Sequence, residues 1–138
     1  MSAYGFKARW EEPLRRDAKL TTLRKERKDG RAPRVGEKFS AFVGMRTPHC
    51  RRLFDSTISE VTRVRINAVL GESEFEPVNY AILCDGRMLN EAEGERFARE
   101  DGFESLEKFI AFFEEEHAIQ TTGFIGYLIR WAQPVAWA

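Results

Sequence analysis

Ile58-Ser59-Glu60-Val61-Thr62-Arg63-Val64-Arg65-Ile66-Asn67-Ala68-Val69-Leu70 is the stretch whose reading decides the fold. Thr62, Val64, Ile66, Ala68 and Leu70 alternate with Arg63, Arg65 and Asn67, and a period of two puts the two sets on opposite faces of a long strand. Working back from it, Cys50 to Phe54 reads as a further strand after the turn-like Arg46-Thr47-Pro48. Before that turn, Phe39, Ala41, Val43 and Met45 alternate with Ser40, Phe42 and Gly44, which predicts a strand over Lys38 to Met45 led in by Val35-Gly36-Glu37.

At the N-terminal end, residues 4 to 9 read as a first strand with Tyr4, Phe6 and Ala8 on one face. A short helix is expected over Trp10 to Ala18, because Pro13 is tolerated in a first turn and Glu11 and Glu12 suit the positive end of the dipole. Trp10 and Leu14, four apart, are read as core. Lys19 to Arg24 is then extended, and on a regular strand Lys19, Thr21 and Leu23 face away from Leu20, Thr22 and Arg24. Lys25 to Arg34, with its Asp-Gly and Ala-Pro breakers, is a strongly basic loop.

Downstream of the long strand, Gly71 to Asn79 is acidic and irregular, and Tyr80 to Cys84 is a candidate strand ending at Asp85-Gly86. Two helices follow, Glu91 to Asp101 and Ser105 to Glu116, broken at Gly102. In the second, Leu106, Phe109, Ile110 and Phe113 form one apolar stripe, widened by Phe112, with Ser105 as N-cap. That stripe is read as packing on the sheet. Gly126 to Gln133 alternates again and reads as a closing strand. The order predicts an α+β fold, a small mostly antiparallel barrel with flanking helices, as one domain over residues 1–138.

Composition narrows the function classes. The chain has 43% hydrophobic and 32% charged residues, which fits a folded domain rather than a disordered one. No apolar run approaches the roughly 18 residues of a spanning helix, and the first ten residues lack the apolar stretch of a signal peptide, so a cytoplasmic protein is expected. Cys50 and Cys84 lack CxxC spacing and His49 and His117 stand far apart, so the sequence suggests no disulfide framework and no metal site. The net charge is zero, yet residues 1 to 69 hold 17 Lys+Arg against 8 Asp+Glu, and residues 70 to 138 hold 5 against 14. A +9 half beside a −9 half means either an electropositive face for nucleic acid or halves that pair with each other. The acidic runs Glu72 to Glu76 and Glu114 to Glu116 are read as solvated surface.

Several segments in order then resemble the ASCH family: Lys19-Leu20-Thr21-Thr22-Leu23-Arg24 in the position of its Lys-x-x-Thr-Ile-Arg motif, Arg34-Val35-Gly36-Glu37 leading into a strand, Ala98-Arg99-Glu100-Asp101-Gly102-Phe103 before the late helix, and Gly126-Tyr127-Leu128-Ile129-Arg130-Trp131 near the end. The segment Gly44-Met45-Arg46-Thr47, with Cys50 soon after, is similar to small bacterial and bacteriophage members. The resemblance implies a PUA-like barrel with a cleft for RNA, a nucleotide or a nucleoside, lined by Lys19, Thr22, Arg24 and Lys25 with Arg46 contributing; no cofactor is expected, and the residue spacing and hydropathy above suggest no metal and no membrane.

One branch of that family deacylates acetylcytidine, which would make Thr22 the nucleophile and Lys19 its activator, with Asp101, or Glu100 beside it, as the further acid or base. The chemistry is sound, because a threonine hydroxyl needs a base and a lysine serves only when burial or a neighbouring cation lowers its pKa. It carries a geometric condition. Lys19 must lie before the strand or at a bend near Ala18, since otherwise it and Thr22 point apart. A third expectation is a bacteriophage interaction module that engages a protein through the acidic half.

Overall fold

The computed structural model describes residues 2–69, 79–133 and 135–138. In chain order it contains β1 (Ser2–Phe6), a 3-10 turn (Ala8–Trp10) running into α1 (Glu11–Arg15), β2 (Thr21–Lys25), β3 (Lys38–Val43), β4 (Arg51–Val69), β5 (Asn79–Cys84) and β6 (Arg87–Met88). Then come α2 (Glu91–Glu100), α3 (Leu106–His117), α4 (Ile119–Thr122), β7 (Phe124–Trp131) and β8 (Ala136–Trp137).

β4 organises the sheet. Its first part pairs with β3 and β8, its second part with β7 and β5, all antiparallel. β2 lies antiparallel on β7, β6 on β5, and β1 runs parallel to β3. The result is an α+β fold with one mostly antiparallel eight-stranded sheet that does not close, because among the described residues β1 pairs with β3 and not with β2. A side chain spans the opening instead: Arg24 Nη2 donates to the Gly5 carbonyl at 2.9 Å.

The alternation read from Thr62 to Ala68 holds, with Val64 and Ile66 fully buried and Arg63, Arg65 and Asn67 exposed. The two strands expected at Cys50 to Phe54 and from Ile58 are one strand of 19 residues. Asp55-Ser56-Thr57 looks like a break in sequence, yet β3 pairs all along it and β8 pairs at Asp55. A register shift between Ile58 and Glu60 then resets the alternation. Leu70 and the segment 71–78, with Glu72 to Glu76, lie outside the described residues.

The other expected strands are present with shifted bounds: β1 ends at Phe6 and Ala8 lies in the 3-10 turn, β2 starts at Thr21, β5 starts one residue early at Asn79, and β7 runs two residues ahead of the expected Gly126 to Gln133. β3 stops at Val43 because Gly44 and Arg46 take positive φ. The helix expected from Trp10 to Ala18 ends at Arg15, and Asp17 at φ 56 turns the chain. α2 starts with a capping box between Asn90 and Glu93, and Ser105 caps α3 by accepting from the Lys108 amide at 3.2 Å. Phe109 and Phe113 of α3 are buried against Phe97, Phe103 and Phe124, so the aromatic stripe is packing, as its spacing predicts. Together α2, α3 and the turn at Gly102 cover the start of β2, and that contact builds the site.

Candidate functional site

Asp17 reverses the chain, and the amides of Ala18 and Lys19 both donate to the Pro13 carbonyl at 2.8 and 3.1 Å. Lys19 therefore precedes β2, meeting the condition that its side chain not follow strand alternation. The Leu20 amide donates to the Glu100 carbonyl at 2.7 Å, which ties the end of α2 to this segment.

Lys19 and Asp101 are both about 4% exposed at the side chain. Lys19 Nζ donates to Asp101 Oδ1 at 3.1 Å and to the Asp101 main-chain oxygen at 2.7 Å. The second bond satisfies a carbonyl at the C-terminal end of α2, where a cation is favoured by the helix dipole. Thr21 Oγ1 also donates to Asp101 Oδ1, at 3.1 Å. Burial pushes the Lys19 ammonium below its ordinary range, with Asp101 opposing, and burial pushes the Asp101 carboxyl up, with Lys19, Thr21 and Arg24 opposing.

Gly102 makes this approach possible. Its φ is +99, and a Cβ there would lie 2.8 Å from the Trp10 ring and 3.1 Å from Lys19 Cβ. The Trp10 ring holds two cations, Lys19 Nζ and the Arg9 guanidinium, each 4.5 Å from its centroid.

On β2, Thr22 and Arg24 share a face. Thr22 is 5% exposed, and its Oγ1 accepts from Arg24 Nε at 3.2 Å. The Arg24 guanidinium lies 5.0 Å from the Tyr4 ring centroid and 4.9 Å from that of Phe6, so it is held by rings as well as hydrogen bonds.

These groups line a cleft of about 290 Å³, with Lys19, Thr22, Arg24 and Asp101 among its polar residues and Phe6, Trp10, Phe103 and Phe112 among its apolar ones. At its rim Lys7 Nζ pairs with Glu116 Oε1 at 2.5 Å, and His117 stacks on Phe113, where burial lowers the imidazole pKa. Lys25 also lines it and is exposed.

Two expected site residues lie elsewhere. Glu100 and Asp101 are adjacent at the end of a helix, about 100° apart around its axis, so both cannot face Lys19. The Glu100 side chain pairs with Arg130 and lines a different cleft with Glu60 and Arg96. Arg46 is exposed at φ 65 in the turn after β3 and does not line this cleft. Conversely, Thr21, Trp10 and Arg9 belong to the surroundings of Lys19 although the sequence marked none of them for it; a Thr beside the motif threonine was the one available signal.

Lys19 Nζ and Thr22 Oγ1 line one cleft, but among the described residues no hydrogen bond joins them, since the ammonium is turned to Asp101 and the hydroxyl to Arg24. The arrangement offers buried donors and acceptors beside aromatic walls. Among the described residues no group of three or more His, Cys, Asp or Glu side chains could hold a metal ion, both cysteines are free, and no helix is long and apolar enough to cross a membrane. No protein-family model, no curated protein and no solved structure matches the chain.

Proposed function

We propose that the chain is a cytoplasmic nucleotide- or RNA-binding domain of the ASCH, PUA-like type, whose small cleft receives a nucleoside. The observation that carries this reading is the shared placement of Lys19, Thr22, Arg24 and Asp101 in a cleft walled by Phe6, Trp10, Phe103 and Phe112. Its volume of about 290 Å³ sits at the lower limit for small-ligand sites, a size for one base or nucleoside rather than a large cofactor. Aromatic walls suit a base by stacking, and buried hydroxyl, ammonium and carboxylate groups suit hydrogen bonding to its edge. Arg24 and Lys25 at the side supply charge for a phosphate.

Calorimetric titration with nucleosides and 5′-nucleotides tests the reading. Binding that weakens on Thr22→Val and Arg24→Gln, with the folded state intact by circular dichroism, is the expected result. Wild-type protein that takes up none of these compounds sinks it.

A second reading, an amidohydrolase acting on an acylated cytidine, draws on the lowered Lys19 pKa and on its sharing of a cleft with Thr22. Neutral Lys19 would take the Thr22 proton as Oγ1 attacks the acyl carbon, the amine would leave protonated, and water would release the acyl group from the threonine. The ammonium must first leave Asp101 for this to occur. Turnover of an acylated cytidine that survives Thr22→Ala removes this reading.

A further inference from the structure

Beside the small cleft lies a larger one, about 1220 Å³, in the unclosed gap between β1 and β2. Ser2, Ala3 and Tyr4 form one side, Arg24 and Lys25 the other, and the loop after β2 its rim. Its volume exceeds the range of roughly 300–1,000 Å³ typical of small-molecule sites, so it is suited to an extended ligand.

Its chemistry is that of an anion path. The lining includes Arg24, Lys25, Arg27, Arg31 and Arg34 against the carboxylates of Asp29 and Glu37. Asp29 is shared, at 2.8 Å from Arg27 and 4.0 Å from Arg31, and Lys25 and Arg34 form none of the ion pairs among the described residues. The phenol rings of Tyr4 and Tyr127 add flat surface.

Arg24 and Lys25 line both clefts, so the two cavities meet at these side chains. Arg24 is immobilised there by Thr22, by the Gly5 carbonyl and by two rings, while a guanidinium has five N–H donors and these two bonds leave others available. A phosphate at the junction would meet a preorganised donor.

We propose that the domain takes a single-stranded polynucleotide rather than a free nucleoside, its phosphodiester backbone lying along the large cleft and one base passing Arg24 into the small cleft. This rests on the nucleotide-binding reading of the small cleft. An added peptide strand fits the large cleft less well, since it would compete for the Gly5 carbonyl, which Arg24 already occupies.

Fluorescence anisotropy and calorimetry on the full chain decide it, using a nucleoside, a mononucleotide, mixed-sequence single strands of about ten nucleotides as RNA and as DNA, and the matching duplex. Affinity that climbs from nucleoside to single strand is expected, with log K falling against log salt by about 0.7 for each phosphate held. Arg31 and Arg34 are exposed loop residues, so Arg31→Ala/Arg34→Ala should fold, bind the single strand several-fold more weakly and flatten that slope by about 1.4. Equal binding of RNA and DNA supports recognition of the phosphodiester chain itself; preference for RNA supports it with a 2′-hydroxyl contact added. Single strands that bind no tighter than the nucleoside, a duplex that binds as tightly as the strand, or a slope untouched in the double variant overturns the proposal while the nucleoside reading stands. Wild-type protein that binds neither nucleoside, mononucleotide nor single strand overturns both.

Discussion

Lys19 and Asp101 form a buried ion pair across 82 residues, with Nζ 3.1 Å from Oδ1 and 2.7 Å from the main-chain oxygen of the same aspartate. Asp101 presents two acceptors, one of them the carbonyl of the residue that ends α2. The pair therefore joins the segment before β2 to the helix end in addition to neutralising charge. It also shows how the opposite net charges of the two halves are used: Lys19 with Asp101 and Lys7 with Glu116 cross between halves, whereas Arg51 pairs with Glu11 and Arg87 with Glu93 within them. Pairing between halves therefore accounts for some of the ion pairs, and basic side chains of the first half line the large cleft.

Breaking such a pair from one side leaves a charge without its partner in a dry site. Asp101→Ala should destabilise the fold by about 3–5 kcal/mol and Lys19→Met by a similar amount, each cost limited by the remaining group's change of protonation state. Lys19→Met/Asp101→Leu should lie nearer the wild type than the sum of the two single changes, short of it by about 1 kcal/mol for the lost Thr21 bond. Urea unfolding of all four proteins measures the coupling. Additive single effects would show that the two groups do not depend on each other.

The same pair has a signed pH response. Because the Lys19 pKa is lowered, the folded chain sheds this proton before the unfolded one, which titrates near 10.5. Between those two values the unfolded state holds more protons, and this group's contribution to stability rises with pH. Asp101→Asn removes the charge that opposes burial, so Lys19 should deprotonate at a still lower pH in that variant. Side-chain nitrogen NMR of Lys19 against pH reads this directly. A titration that stays in place, or moves up, would mean that Asp101 does not set the charge of Lys19.

Periodicity carried part of the sheet, since Val64-Arg65-Ile66-Asn67 announces which face is inward whatever the neighbours are, whereas in Phe39-Ser40-Ala41 the intervening Ser40 is buried as well. It could not show that β4 continues through Asp55-Ser56-Thr57, nor that β1 lies parallel to β3, because both depend on strands brought alongside from elsewhere in the chain. Expecting a closed barrel required β1 and β2 to pair, and two short strands contain no signal for their partners. At the site, Lys19, Thr22, Arg24 and Asp101 were legible and are brought together. Choosing Asp101 over Glu100 needed the helix phase at its last turn, and finding Arg9 and Trp10 needed the path of the chain after β1.

Gly102 is where the backbone itself sets the site. Lys19 reaches the end of α2 only because residue 102 has no side chain between the Trp10 ring and Lys19 Cβ, and because the chain turns there at φ +99. Gly102→Ala adds strain at that φ, worth roughly 1–3 kcal/mol. It also forces apart groups that the new methyl would meet at 2.8 and 3.1 Å, neither of them the free end of a flexible chain. The expected outcome is a fold weakened by at least that strain, with an unchanged dependence on denaturant, together with a Lys19 ammonium resonance shifted from its wild-type position as the Asp101 bonds lengthen. Lys19 and Asp101 signals identical to wild type in a destabilised Gly102→Ala protein would show that the cost is purely conformational, and that the close packing of residue 102 on Lys19 does not position the lysine.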